Sequence, residues 1–253
     1  MKTLAFVSGL KGGTGKTTMA VNAAAVLSYA LRDKARYPVV LLDITPGVGT
    51  AAMLLFGSHK IDAPSLADYL DGRLLDPLQA FYLRRWQTPA GEFHVVFSFL
   101  GRDIGVSRRT LEALLGQLDA RLKPLLVVLD APPMGRGAPV QGLMDYVVPI
   151  VSPDASAIAT AAAAAKSLGG KRLKPILNMH IKDYAVAGIY GKDWPDIVKE
   201  AFGEEPHVVP FDPLFEASRQ ALEIESLKLS ARESPALASL LEYLRYLLAQ
   251  LSS

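Results

Sequence analysis

The sequence predicts one doubly wound α/β domain over residues 1–253, with a mainly parallel sheet of seven or eight strands and helices on both faces. Three observations carry that prediction. A short apolar run, Leu4-Ala5-Phe6-Val7, passes through a glycine-rich loop into a run of helix formers, Met19 to Leu31. Two further unbroken apolar runs, Val39-Val40-Leu41-Leu42 and Leu125-Leu126-Val127-Val128-Leu129, have the pattern of parallel strands covered on both faces, and each ends in aspartate. Half of the 253 residues are hydrophobic, enough for one sizeable core, and the chain leaves no room for a second full domain.

The first element and its loop carry the chemistry. Ser8-Gly9-Leu10-Lys11-Gly12-Gly13-Thr14-Gly15-Lys16-Thr17-Thr18 lies between a strand and a helix start, the context a phosphate-binding loop requires. Glycines at 12, 13 and 15 allow positive φ and let amide N–H groups point at phosphate oxygens. The following helix adds the positive end of its dipole at the same point. Lys16 would reach the β- and γ-phosphates, and the Thr17 hydroxyl would ligate Mg²⁺. The strict pattern G-x-x-x-x-G-K-[ST] is not met, because Leu10 occupies its first position. The loop reads K-G-G-T-G-K-T-T instead, with a second lysine, Lys11.

This segment resembles the ParA/MinD family of deviant Walker A P-loop ATPases, whose signature is K-G-G-x-G-K-T. The resemblance implies a P-loop fold, ATP and Mg²⁺ as ligands, and hydrolysis of ATP to ADP and phosphate. It also implies an ATP-dependent homodimer in which Lys11 reaches the partner's nucleotide, so that nucleotide binding and pairing become one coupled event. Lys11, Lys16 and Asp43 are then the catalytic candidates. The loop residues Lys11, Gly12, Gly13, Thr14, Gly15, Lys16, Thr17 and Thr18 are the nucleotide-binding ones. Thr17, Asp43 and Asp130 are the metal candidates.

Composition narrows the choice. With 27 basic and 25 acidic residues the formal net charge is +2, which neither demands nor excludes nucleic acid. Cysteine is absent, which removes disulfides, thiolate metal sites and the cysteine-bound clusters of some relatives. The chain has no apolar run of membrane-spanning length and no signal-peptide pattern, so a cytoplasmic protein is expected.

The second strand is expected to end at Asp43, beside the phosphate loop, because ligands of such sheets gather at the carboxyl ends of strands. Asp43-Ile44-Thr45-Pro46-Gly47 resembles the family's switch I, but Thr45 stands where the carboxylate that orients the attacking water is usual. A hydroxyl cannot take a full proton charge, so hydrolysis is expected to be slowed by tens to hundreds of fold, the scale of losing a positioned base. Supply of that function by Asp43 or by a partner protein is the alternative. From Gly49 to Gln87 no strand is expected. Ser65-Leu66-Ala67-Asp68 has the form of a capping box, and a helix is read around residues 77–85, with Arg84-Arg85-Trp86 as its solvated end.

Phe93-His94-Val95-Val96-Phe97 reads as a third strand, with His94 an ordinary strand residue. Ser107 caps a helix whose leucines 111, 114, 115, 118 and 122 share one face. The run ending at Asp130 has the form of a Walker B strand, and Asp130-Ala131-Pro132-Pro133 resembles switch II, with Gly135 and Gly137 able to let that loop move. Tyr146 to Val151 is an interior strand, followed by an alanine-rich helix closed by Gly169-Gly170.

Lys171-Arg172-Leu173-Lys174 is the densest basic cluster. Relatives that bind DNA non-specifically do so through their C-terminal half, so non-specific DNA is a candidate partner, and a solvated turn is the equal alternative. The resemblance implies a stimulating partner protein as well. By resemblance Asn178 reads the adenine edge, and Pro210, Phe211 and Asp212 belong to a late loop that packs on the base. The absence of an N-K-x-D motif favours ATP over GTP. The last helix starts at Ser234-Pro235, a cap with proline at the first position. Its apolar face carries Leu237, Leu240, Leu241, Leu244, Leu247, Leu248 and Leu251, with Arg245 as its only basic residue. That composition favours docking on the sheet or a partner over membrane attachment.

Two roles are left open, the family resemblance favouring the first and Thr45 the second. One is a positioning or DNA-partitioning ATPase. Another is a nucleotide-gated regulatory or assembly protein in which ATP mainly signals pairing.

Overall fold

The structure, a computed structural model, describes residues 1–133, 138–182 and 191–252. The strands are β1 (Lys2–Val7), β2 (Val39–Asp43), β3 (Tyr82–Thr88), β4 (Gly91–Phe99), β5 (Leu126–Asp130), β6 (Tyr146–Val151), β7 (Lys171–Arg172), β8 (Ile176–His180) and β9 (His207–Pro210). They form one sheet in the order β3-β4-β2-β5-β1-β6-β8-β9, with the short β7 beside β6. Every pairing is parallel except β3 with β4. The sheet is thus the expected doubly wound one, with one antiparallel edge.

The helices are α1 (Lys16–Leu31), α2 (Thr50–Phe56), α3 (Leu66–Leu70), α4 (Arg108–Arg121), α5 (Ala155–Leu168), α6 (Trp194–Phe202), α7 (Pro213–Gln220), α8 (Glu225–Lys228) and α9 (Pro235–Ser252). One face of the sheet is covered by α1 and α9, whose Met19, Leu27, Leu240 and Leu247 share a cluster with Leu4, Leu41 and Val128 of the strands. The other face packs on α4 through Leu111, Leu114, Leu115 and Leu118. Strands β2 and β5 are buried at every residue, which is why their sequences run apolar without alternation. The Ser65–Asp68 capping box is present, and Ser107 accepts a bond from the Thr110 amide as the cap of α4.

Residues 49–87 hold one helix for which no expectation was stated, and two expectations there, of no strand and of a helix over 77–85, are corrected. Residues 50–56 form α2, which tucks Ala51, Ala52, Leu54 and Leu55 into the core. In place of the expected helix over 77–85, Pro77–Ala80 forms a 3₁₀ turn and Tyr82–Thr88 is a strand. The reason is non-local. Across the hairpin, Trp86 stacks on Phe93 at 5.3 Å, and Tyr82 meets Phe97 at 5.7 Å. Aromatic pairs of this kind are the stabilising unit of an antiparallel ribbon and override local helix preference. Arg84 and Arg85 therefore lie on an exposed sheet edge, not at a helix end.

The basic cluster after α5 is tied into the fold. Lys171 Nζ donates to Gln250 Oε1 at 2.8 Å, Arg172 donates to the Phe202 carbonyl at 2.7 Å, and Leu173 is buried. The C-terminal helix α9 is docked on α1 and β9 with Leu237, Leu240, Tyr243, Leu244 and Leu247 buried. Among the described residues, no helix is long and apolar enough to cross a membrane.

Candidate functional site

The site lies where β1, β5 and β2 end together. Phe6 pairs with Asp130, and Asp130 pairs with Asp43, so adjacent parallel strands bring the two aspartates side by side at their carboxyl ends. The loop after β1 wraps over them. Gly13 (φ 75°) and Gly15 (φ 90°) hold left-handed conformations that an L side chain rarely adopts. Gly12 is not among the positive-φ residues, so its conformation makes no such demand. A further glycine that the sequence reading passed over, Gly9, is fixed by space: a Cβ there would come within 2.1 Å of Thr160 Oγ1 and 2.5 Å of the Ala161 amide of α5.

Helix α1 opens at Lys16 behind Gly15, with no side-chain cap and no acidic residue in its first turn. Its N-terminal amides and dipole are therefore left for an external anion. Lys16 is buried and donates to Ser8 Oγ at 3.0 Å. Burial pushes its pKa below the ordinary value, and the Asp130 charge pulls it back up. Lys11 is exposed and pairs at 2.6 Å with Asp154, the residue that caps α5. Thr14 and Thr18 are buried, and Thr17 lies next to them at the start of α1.

The aspartates form the floor. Asp43 Oδ1 accepts bonds from the Thr45 amide at 2.9 Å and the Thr45 hydroxyl at 2.5 Å. Asp43 Oδ2 and both oxygens of Asp130 are buried with no well-formed hydrogen bond among the described residues. Burial raises Asp130 to about 6, against the pull of the Thr17 hydroxyl and Lys16. Burial, then the neighbouring Asp130 charge, raises Asp43 well above the usual carboxylate range, and the Thr45 bonds oppose this. Three unspent, buried carboxylate oxygens beside a threonine hydroxyl suit a hard divalent cation, because Mg²⁺ takes one or two carboxylates and completes its shell with water and phosphate. The residues present fit that ion.

Above the loop is a cavity of about 540 Å³ lined by the loop and by Asn178, Met179, Pro210, Phe211 and Asp212. Asn178 donates to the Thr14 carbonyl at 3.0 Å, and a Cβ on Gly15 would meet its amide at 2.2 Å. Its amide nitrogen thus buttresses the loop. Met179 next to it sits at φ 57°, a conformation non-glycine residues rarely hold, and no sequence signal marks it. Phe211 is 47% exposed on the cavity wall, a free aromatic face.

Asp212 lines the same wall, but its oxygens are spent. Oδ1 accepts from the Leu214 and Phe215 amides, and Oδ2 accepts from Ser234 Oγ at 2.5 Å and the Ala236 amide. One carboxylate therefore ties the start of α7 to the start of α9. Asp212→Ala is expected to lower unfolding stability by about 2 kcal/mol, the scale of one or two lost caps, while changing nucleotide affinity by less than about threefold. Urea denaturation and nucleotide titration of the same variant check both parts.

A second buried carboxyl was not foreseen. Glu225 of α8 accepts from Asn22 Nδ2 at 2.7 Å, and that same amide donates to the Thr18 carbonyl at 2.8 Å. Burial pushes Glu225 up to about 7. Asn22 thus fastens the loop helix to the segment after α7. Gly135 and Gly137, expected to loosen the loop after Asp130, lie outside the described residues.

No family model and no curated protein matches the sequence. Solved structures do match the fold. The MinC:MinD cell division protein complex of Aquifex aeolicus aligns with TM-score 0.74 at 18% identity, over 98% of this chain and 96% of that one. The septum site-determining protein MinD of Pyrococcus horikoshii, complexed with Mg-ADP, aligns with TM-score 0.73 at 19% identity, over 97% and 95%. A ParA family ATPase from Chlorobium tepidum aligns with TM-score 0.67 at 17% identity, over 97% and 98%. At these identities the likeness is one of fold, and the chain has the P-loop fold of the MinD and ParA ATPases.

Proposed function

With the MinD and ParA fold as premise, we propose that this chain binds Mg·ATP in the cavity above Gly15, pairs with a second copy when it does so, and hydrolyses ATP slowly. The chain is then a positioning or partitioning ATPase whose cycle is completed by a partner protein. The observation that carries this reading is the set of unspent carboxylate oxygens on Asp43 and Asp130, lying at the foot of a loop whose helix N-terminus is uncapped.

In this reading the amides from Gly13 to Thr18 and the Lys16 ammonium hold the phosphates, and Phe211 and Pro210 flank the base. Asn178 keeps the loop in shape from behind through Thr14. Thr17, Asp130 and Asp43 hold magnesium, which when bound neutralises charge on the β- and γ-phosphate oxygens. Lys11 leaves Asp154 and completes the partner's site, where its charge meets phosphate instead of carboxylate. Thr45 spends its hydroxyl on Asp43, so no free base faces an attacking water from switch I. That bond favours a second reading within the same chemistry, in which ATP acts mainly as a pairing signal for a regulatory protein. The MinC:MinD complex supports a protein partner for this chain. DNA binding finds less support, because Lys171 and Arg172 are engaged within the fold.

The test separates binding from pairing. Lys11→Ala is expected to bind Mg·ATP within about threefold of the natural chain yet to pair at least about tenfold more weakly, a change of about 1.4 kcal/mol or more. Sedimentation equilibrium with and without Mg·ATP measures it. A natural chain that stays monomeric at saturating Mg·ATP, or a variant that pairs normally, overturns the proposal.

A further inference from the structure

A second cavity, of about 380 Å³, opens beside the C-terminal half of α1, between that helix, β4, α8 and α9. Its wall is built by Val26, Tyr29, Phe93, Leu227, Leu244 and Leu248. Such a volume falls in the range of about 300–1,000 Å³ typical of small-molecule sites, and an apolar lining with few polar groups is their usual form. The lining here has one charged member among the described residues, Arg245 of α9. Arg245 is exposed and has no ion pair or hydrogen bond among the described residues, so its guanidinium is available to a ligand. Ser226, also in the wall, has a buried hydroxyl without a hydrogen-bond partner among the described residues.

We propose that this cavity binds a single-chain amphipath with an anionic head, of the fatty carboxylate class, its hydrocarbon chain between α1 and α9 and its head on Arg245. Charge and shape argue for this occupant together. An uncharged apolar ligand would leave Arg245 unused, and a polar anion would gain nothing from the leucine and aromatic walls. A guanidinium presents a planar fork of donors that matches a carboxylate. The site is separate from the nucleotide cavity: Ala25 lies seven residues along α1 from Thr18, about 10 Å at 1.5 Å per residue.

The molecule carries its own reporter. Trp86 stacks on the wall residue Phe93, and the only other tryptophan is Trp194. In a Trp194→Phe background, titration with decanoate below its micellar concentration is expected to change Trp86 emission saturably. Arg245→Gln is expected to weaken decanoate at least about tenfold while leaving decanol unchanged. Ala30→Phe, at an exposed wall position that can accept bulk, is expected to abolish both without lowering the melting temperature. Co-sedimentation with phosphatidylglycerol vesicles that Ala30→Phe abolishes would assign the chain to a membrane lipid, and decanoate binding without sedimentation to a free amphipath. No saturable signal, or equal decanoate binding by natural chain, Arg245→Gln and Ala30→Phe, overturns the proposal.

Discussion

Asp130→Asn, without nucleotide at pH 8, melts higher than the natural chain, and gains almost nothing when magnesium and ATP are added. Both halves follow from one feature, a buried carboxylate whose oxygens have no well-formed hydrogen bond among the described residues. The folded chain takes up a proton on Asp130 at about 6, against an ordinary value of 3.8. Below about pH 4 folded and unfolded states are both protonated, and the group makes no difference. As pH rises from about 4 to about 6 the unfolded chain releases its proton first, so stability falls, and above that the loss is complete. At 1.36 kcal/mol per pKa unit the loss is on the order of 3 kcal/mol. Asparagine removes the charge but leaves a buried amide, at a cost of about 1–3 kcal/mol, so the net gain is at most about 2 kcal/mol. For a chain of this size that is at most roughly 8 °C.

The same substitution removes a magnesium ligand, and binding of Mg·ATP is expected to weaken about 100-fold, or about 2.7 kcal/mol. Thermal melts at pH 5 and pH 8, each with and without Mg·ATP, test both. The natural chain should lose more stability between those pH values than the variant, in which the buried Glu225 and Asp43 still titrate, and only the natural chain should regain stability substantially with the ligand. A variant that melts below the natural chain at pH 8 and keeps its Mg·ATP shift contradicts the account.

What was legible in the sequence was whatever depends on neighbours along the chain. The loop, its helix and the strands ending at Asp43 and Asp130 each carry their own signal, because a doubly buried strand must be apolar throughout and a phosphate loop must have glycine where φ turns positive. The β3 strand was not legible. Its residues Tyr82–Thr88 are held by cross-strand rings on β4, and nothing local distinguishes an edge strand with two arginines from a helix end. Gly9 was also missed, since its constraint comes from Thr160 and Ala161 more than 150 residues away in sequence. Asp212 shows a different limit. The residue stands on the cavity wall, but the direction of its oxygens depends on Ser234 and Ala236, which the sequence alone does not place beside it.

The same dependence on a partner governs Thr45, where the largest gain in activity is expected. Thr45→Asp should hydrolyse ATP tens to hundreds of times faster than the natural chain, the range associated with adding a positioned base. In the natural chain the Thr45 hydroxyl donates to Asp43 Oδ1, a bond that an ionised aspartate cannot make. The substitution therefore removes one donor from Asp43 and adds a third carboxylate beside Asp43 and Asp130. Without magnesium the like charges should lower the melting temperature, and with Mg·ATP the new carboxylate is free to face water. Thr45→Asn separates the two effects, because it fills similar space without accepting a proton, and it should stay as slow as the natural chain. Single-turnover phosphate release measures the chemical step apart from pairing. If the natural chain already turns over at the rate of Thr45→Asp, or if Thr45→Asn is accelerated equally, the base in this site is another group, and the threonine is not what holds hydrolysis back.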